Sequence, residues 1–354
     1  MATTETEARL LEALDELCAA HSPAGCEGEI DAVILHRLED AADRVWQDAA
    51  GNVIAHVRGR SDERGLLLNA HKDQIALVVK RVEDDGRMRV RTMGGAHPWK
   101  YGEGPVDLLA DDGTVLPAAL CFGSSHVSEE SPISKVKSGQ QGLTWQMAYV
   151  DAKLSRPELA ELGVHAGTKV VLERSRKRPR RLGRHVCAHG LDDKAGVALL
   201  LLLADRLRGW QPAHDLFYVF SSMEEADGGS AVYAARQLGG EAMLGLEIVP
   251  AMAEYGIKND ARPVLIHADA VHIYDERLTH RAAALAKESD VQVQHAVLSS
   301  FGSDPGLARR GGGVPRAALF GFPADNTHGY EIANLDAMLN CLTLTEAFVK
   351  DWPA

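Results

Sequence analysis

The sequence lacks the features of a membrane protein, a disulfide scaffold or a polyanion binder. Its longest apolar stretch, around Ala198 to Ala204, is far too short to cross a bilayer. Its five cysteines (Cys18, Cys26, Cys121, Cys187 and Cys341) are odd in number, scattered, and include no Cys-x-x-Cys pair, which suits a reducing compartment. Positive charge is also in deficit: 38 Lys and Arg stand against 50 Asp and Glu, a net charge of -12. A chain this acidic is poorly suited to coating phosphate backbones, so no nucleic-acid partner is expected. The first residues, Met1 to Leu11, carry neither a basic start nor an apolar signal core, and a cytoplasmic location with no membrane partner is expected.

What is present has the balance of an ordinary globular protein, 45% hydrophobic and 25% charged, which sets aside disordered and collagen-like classes. Its 354 residues can bury a full core. Residues 5–20 read as an amphipathic helix and Val33 to Leu38 as part of a second. Gly51-Asn52-Val53-Ile54-Ala55 reads as a turn entering a strand. Leu66-Leu67-Leu68-Asn69-Ala70 is a nearly continuous apolar run, the pattern of a strand buried on both faces in a parallel or mixed sheet. Between about 82 and 184 the texture changes. Short strand-like runs at Met88 to Arg91, Val115 to Leu120 and Thr168 to Leu172 alternate with Gly, Pro and Asp-Gly turns, the signature of a small barrel or sandwich. The expected architecture is an α/β fold with a mixed central sheet flanked by helices, interrupted by a small β-barrel. Residues 1–81 and 185–354 form the α/β part, and 82–184 the insertion. The basic run from Arg174 to Arg181 reads as a solvated segment at the exit of that insertion.

In open α/β sheets ligands gather beyond the carboxyl ends of the strands. Four apolar runs here lead into metal-competent side chains. Leu66 to Ala70 precedes His71-Lys72-Asp73, and Leu216 to Phe220 leads through Ser221-Ser222-Met223 into Glu224-Glu225. Met243 to Leu246 precedes Glu247, and Ala317 to Phe320 leads through a loop to His328. A fifth group, Asp192-Asp193, stands at the start of a helix. One carboxylate there is enough to cap free N–H groups, which leaves the other to point into the crevice. Two His and three carboxylates are the inventory for two divalent ions that share a bridging carboxylate, with zinc, cobalt or manganese suited to such donors. Of Glu224 and Glu225, one can bind metal while the other takes a proton from water.

At these residues the sequence resembles the glutamyl and deblocking aminopeptidases, the TET-type dinuclear metallo-aminopeptidases. The likeness rests on Ser22 to Glu27, Gly51 to Ala55, Ala70 to Ile75, Leu191 to Gly196, Met223-Glu224-Glu225 and Gly302-Ser303-Asp304 followed by His328. Within the insertion it rests on Met93-Gly94-Gly95 and Glu161 to Gly167. The resemblance implies two metal ions per subunit, with Asp192 as the bridge. His71 and Glu247 would complete one ion, Glu225 and His328 the other. Glu224 would be the general base, and Asp73 would orient His71. It also implies a peptide substrate and a homo-oligomer, often a dodecamer, assembled through the insertion. The chain departs from the family pattern at Gln74, Lys194 and Glu247, and at Gly329-Tyr330-Glu331 after His328. Two other activities suit the same residues: a metal-dependent deacylase or amidase acting on a small or modified amide, and an inactive oligomeric scaffold.

Overall fold

The computed structural model describes residues 4–61 and 63–353. The chain divides into two compact units, Met1–Gln74 with Arg178–Ala354, and Ile75–Lys177.

The larger unit is built on a mixed sheet of eleven strands. At its centre Leu66–His71 runs parallel to Leu216–Ser221 on one side and to Ala242–Pro250 on the other, and Ala242–Pro250 runs parallel to Arg316–Asp325. Antiparallel strands flank these four: Val53–Val57 on one side, Val264–Ala268 and Glu331–Asn334 on the other. Side chains of successive strand residues point to opposite faces, and here both faces are covered. Leu66, Leu68 and Ala70 join the core formed with Glu5–Ala19, Leu191–Arg206 and Leu335–Asp351, whereas Leu67 joins Ala234, Ala235 and Ala308 on the opposite face. That is why this strand reads as unbroken apolar sequence.

Leu191–Arg206 is the central helix. From Ala195 to Ala204 every residue is buried, because Glu5–Ala19 and Leu335–Asp351 cover the side that the sheet leaves open. A helix apolar all round is stable in water only when enclosed in this way. Arg178 and Arg181 of the basic run face Glu5–Ala19, where Arg181 reaches the buried Glu7 at 3.0 Å and Arg178 reaches Asp15 at 3.6 Å.

The smaller unit is a closed antiparallel barrel of six strands: Ala76–Val82, Met88–Met93, Tyr149–Asp151, Val115–Cys121, Gly104–Leu109 and Lys169–Leu172. Closure leaves no strand edge unpaired, and Leu77, Met88, Val106, Leu108, Val150 and Val170 fill the interior. Its limits, Ile75 and Lys177, differ from the expected 82 and 184. Ala76–Val82 follows the His71 strand closely yet pairs with Met88–Met93 and Lys169–Leu172, so it belongs to the barrel. Arg180–Leu182 pairs with His185–Ala188 and so extends the large sheet. Among the described residues no helix is long and apolar enough to cross a membrane.

Candidate metal centre

The carboxyl ends of the central strands bring the seven expected residues into one region of the larger unit. His71 is the last residue of its strand and is 2% exposed. Its Nε2 lies 3.0 Å from Asp192 Oδ1, 3.8 Å from Glu247 Oε1 and 3.8 Å from Glu224 Oε2. The second oxygen of Asp192 lies 3.3 Å from His328 Nε2, which is itself 3.9 Å from Glu225 Oε1. Two groups of donors result, His71 with Asp192 and Glu247, and Asp192 with Glu225 and His328. Within each group the donor atoms lie within 4.8 Å of one another.

The local backbone explains why these side chains converge. Gly190 enters the central helix at φ +78°, but Asp192 and Asp193 have non-helical backbones. Asp193 then turns inward and accepts the amide of Gly196 at 3.1 Å, the bond expected of a helix cap. Asp193 thus accepts the Gly196 amide, and Asp192 faces His71 and His328. A Cβ at Gly196 would meet the Asp193 carboxylate at 2.4 Å, so any larger residue there would displace the cap.

Asp73 works mainly through the backbone. Its two oxygens accept the amides of Glu224 at 2.9 Å and Glu225 at 3.1 Å, which fixes the turn after the Leu216–Ser221 strand. It also lies 3.4 Å from His71 Nδ1, at the long limit of a hydrogen bond. The turn begins at Met223 with φ +58°, and His328 sits at φ +59°. Non-glycine residues in this region cost about 1–3 kcal/mol each and persist where surrounding contacts hold them. At Met223 the contact is Glu27, whose Oε1 accepts the Met223 amide at 3.1 Å while Oε2 takes Ser222 and the wholly buried Lys72.

Glu247 departs from expectation. Its strand does not end there but continues to Pro250, so Glu247 projects from within a buried strand. Ser303 Oγ donates to its Oε2 at 3.3 Å. Asp304, next along, is buried beneath the centre and accepts from Ser221 and from Asn69. Asn326 donates to Tyr330 O at 2.9 Å and shapes the loop that carries His328. Gln74 and Lys194, two positions where the chain leaves the family pattern, touch each other: Lys194 Nζ donates to Gln74 Oε1 at 2.7 Å.

Electrostatically the centre is crowded with negative charge. Burial, reinforced by neighbouring carboxylates, pushes Glu225 up to about 7 and raises Glu224 and Glu247 well above the usual range. Burial alone would lower His71, but Glu224 and Glu247 outweigh it and the imidazole is raised. Asp192 goes the other way: burial opposes ionisation, and the hydrogen bonds of His328 and His71 overcome it. Two imidazoles cannot neutralise this many buried carboxylates. Divalent cations can, and the nitrogen and oxygen donors suit borderline metals; the residues fit a pair of such ions.

With this geometry in view, the comparisons with known proteins are specific. The profile of the M42 glutamyl aminopeptidase family matches residues 51–344. The chain belongs to that family. This M42 chain is a peptidase, a hydrolase with aminopeptidase function, and membership implies divalent metal ions. It is 25% identical to the putative aminopeptidase SgcX of Escherichia coli, over 95% of this chain and 92% of that one. A TET aminopeptidase from a marine sediment thaumarchaeote has the same fold, with a TM-score of 0.88 at 21% identity, covering 98% of this chain and 97% of its own. Pyrococcus horikoshii TET1 peptidase, which can assemble into a tetrahedron or a large octahedral shell, superimposes with a TM-score of 0.85 at 22% identity, over 97% and 99%.

The M42 centre should make stability depend on pH in a set direction once divalent ions are stripped. Glu225, Glu224 and Glu247 bind protons more tightly folded than unfolded, and so does His71. Between about pH 4.5 and 7 the folded chain then holds more protons than the unfolded one, and stability falls as pH rises. The thermal midpoint of the chelator-treated protein should be lower at pH 8 than at pH 5.5, with zinc reducing the difference. A midpoint that rises over that range would contradict this electrostatic picture.

Proposed function

We propose that the chain is a dinuclear metal-dependent aminopeptidase that releases N-terminal residues from short peptides. One observation carries the reading: Asp192 offers one oxygen to each of two imidazoles, His71 at 3.0 Å and His328 at 3.3 Å, and each imidazole has a further carboxylate beside it. His71, Asp192 and Glu247 would hold one ion; Asp192, Glu225 and His328 would hold the other. Zinc suits this donor set best, and cobalt or manganese also fit. Two such ions supply Lewis-acid polarisation of the scissile carbonyl and a lowered pKa for the attacking water.

The chain's own groups supply the rest. Glu224 Oε2, 3.8 Å from His71 Nε2, projects into the centre without belonging to either donor group. Its raised proton affinity suits a base that accepts the proton of the attacking water and delivers it to the leaving nitrogen. Asp73 holds the amides of Glu224 and Glu225 and so fixes base and ligand in one turn. Ser303 steadies Glu247.

The proposed assembly is a homo-oligomer with the barrel of Ile75–Lys177 at subunit contacts. Trp99 in that unit is 64% exposed and stacks on His97, which leaves an aromatic side chain available for burial against another copy. P. horikoshii TET1 is a relative that assembles.

Glu224→Gln should keep both ions and lose about 100- to 10,000-fold in turnover of aminoacyl-anilides, the contribution typical of a general base. Unimpaired turnover would remove Glu224 from this role, and a wild-type preference for N-acyl amino acids over the anilides would replace the aminopeptidase reading with a deacylase. Asp192→Ala should lose both ions by elemental analysis, since each depends on it; full occupancy would refute the shared bridge. Light scattering should give a mass of many chains, whereas a monomer would reject the assembly.

A further inference from the structure

Glu331 lies just past the loop that carries His328, as the first residue of the Glu331–Asn334 strand, and it is 1% exposed. Its carboxylate takes no part in either donor group. Instead, Oε2 accepts the amides of Leu191 at 2.7 Å and Asp192 at 3.1 Å, and Oε1 accepts the amide of His328 at 3.0 Å. Three backbone donors from two segments far apart in sequence thus meet on one buried carboxylate.

The chemistry of these segments makes the meeting consequential. Asp192 has a non-helical backbone at the entry to the central helix, and His328 has a left-handed one. Neither conformation is held by regular helix or sheet bonding, so the direction of each side chain depends on what grips its peptide. Glu331 supplies the acceptor for all three amides, which buried backbone N–H groups require. Glu331 therefore ties the backbone under the shared aspartate to the backbone under His328.

We propose that Glu331 is a positioning residue that sets the affinity of the Asp192, Glu225 and His328 group for its divalent ion, by fixing the Asp192 and His328 peptides against each other. The proposal rests on the dinuclear reading above. The two groups should differ in sensitivity. The group containing His328 has two members on Glu331. The group of His71 and Glu247 has one, and those other two side chains stand on strands.

Glu331→Gln tests this. A glutamine keeps one acceptor oxygen but turns an NH2 toward amides that are themselves donors, so one segment loses its partner. Titration calorimetry of the metal-free full chain with zinc chloride should show two ions per wild-type chain. In the variant the weaker ion should bind about 10- to 100-fold less tightly, the usual effect of losing a group that supports ligands. The tighter ion should change far less. Raising the zinc concentration should recover kcat with KM for the peptide unchanged, a rescue that general structural damage would not allow. Both affinities within twofold of wild type, or equal losses at both sites with no rescue by metal, would overturn the role of Glu331. No stoichiometric zinc on the wild-type chain would instead bring down the dinuclear reading, and this inference with it. Should the variant not fold, hydrogen exchange on the wild-type metal-free chain reads the same bonds. The amides of Leu191, Asp192 and His328 should be protected, and exchange of the His328 amide at the rate of an unstructured chain would overturn the proposal.

Discussion

Buried negative charge is the constraint around which the larger unit is organised. Asp192, Glu224, Glu225 and Glu247 converge on two imidazoles, and Asp73, Asp193, Asp304 and Glu331 lie buried around them. An ionised carboxylate taken out of water costs several kcal/mol unless it is paired or well hydrogen-bonded. The fold resolves this by giving the carboxylates two separate tasks. The four that face the centre point toward the imidazoles. Three of those behind them are turned onto peptide N–H groups: Asp73 onto Glu224 and Glu225, Asp193 onto Gly196, Glu331 onto Leu191, Asp192 and His328. Intramolecular hydrogen bonds contribute about 0.5–1.5 kcal/mol each, and several acting together offset the left-handed backbones at Met223 and His328. The supporting carboxylates thus hold the turns that carry the others, although burial still raises Asp193 and Glu331.

How much of this could be read from the sequence follows from how local each signal is. The apolar run from Leu66 to Ala70 exposes its strand because both faces are covered, and His71 at its end follows directly. The Glu224-Glu225 pair and the Asp192-Asp193 pair are visible as doublets with one carboxylate more than a turn or cap needs. Glu247 was legible as a residue but not in its setting, since nothing in Ile248-Val249-Pro250 tells whether a strand stops or continues. The barrel limits differ from the expected ones for a related reason: Ala76–Val82 has the same alternation whichever sheet it joins, and only its partners decide. Glu27 and Glu331 lie in segments set against the family pattern, yet nothing local marks their tasks, because a carboxylate that accepts amides from distant segments looks in sequence like any other acid. The same holds for Gln74 and Lys194, which differ from the family pattern singly but make one contact.

Family membership adds what physical reading of the residues could not reach alone, namely the reaction class. Donor sets of two His and three carboxylates suit several hydrolases, and a fold shared at about 21–22% identity is silent on substrate. The match across residues 51–344 assigns the chain to the M42 peptidases.

The two donor groups are not equivalent, and the difference lies in the scaffold. His71 and Glu247 stand in neighbouring buried strands, where His71 pairs with Ser221 and Glu247 with Gly321, so the sheet fixes the backbone and leaves mainly side-chain rotation free. Asp192 has a non-helical backbone at the entry to the central helix, and Glu225 and His328 stand between elements. A side chain on a packed strand is positioned by the whole sheet; one on a turn is positioned by whatever grips its peptide. His328 is also 37% exposed at its side chain, against 2% for His71, so water competes for one imidazole and scarcely for the other. On the proposed dinuclear reading, the ion between the strands is held by the rigidity of the fold. The ion between the loops is held by the carboxylates beneath them, and its occupancy answers to any change that loosens a turn.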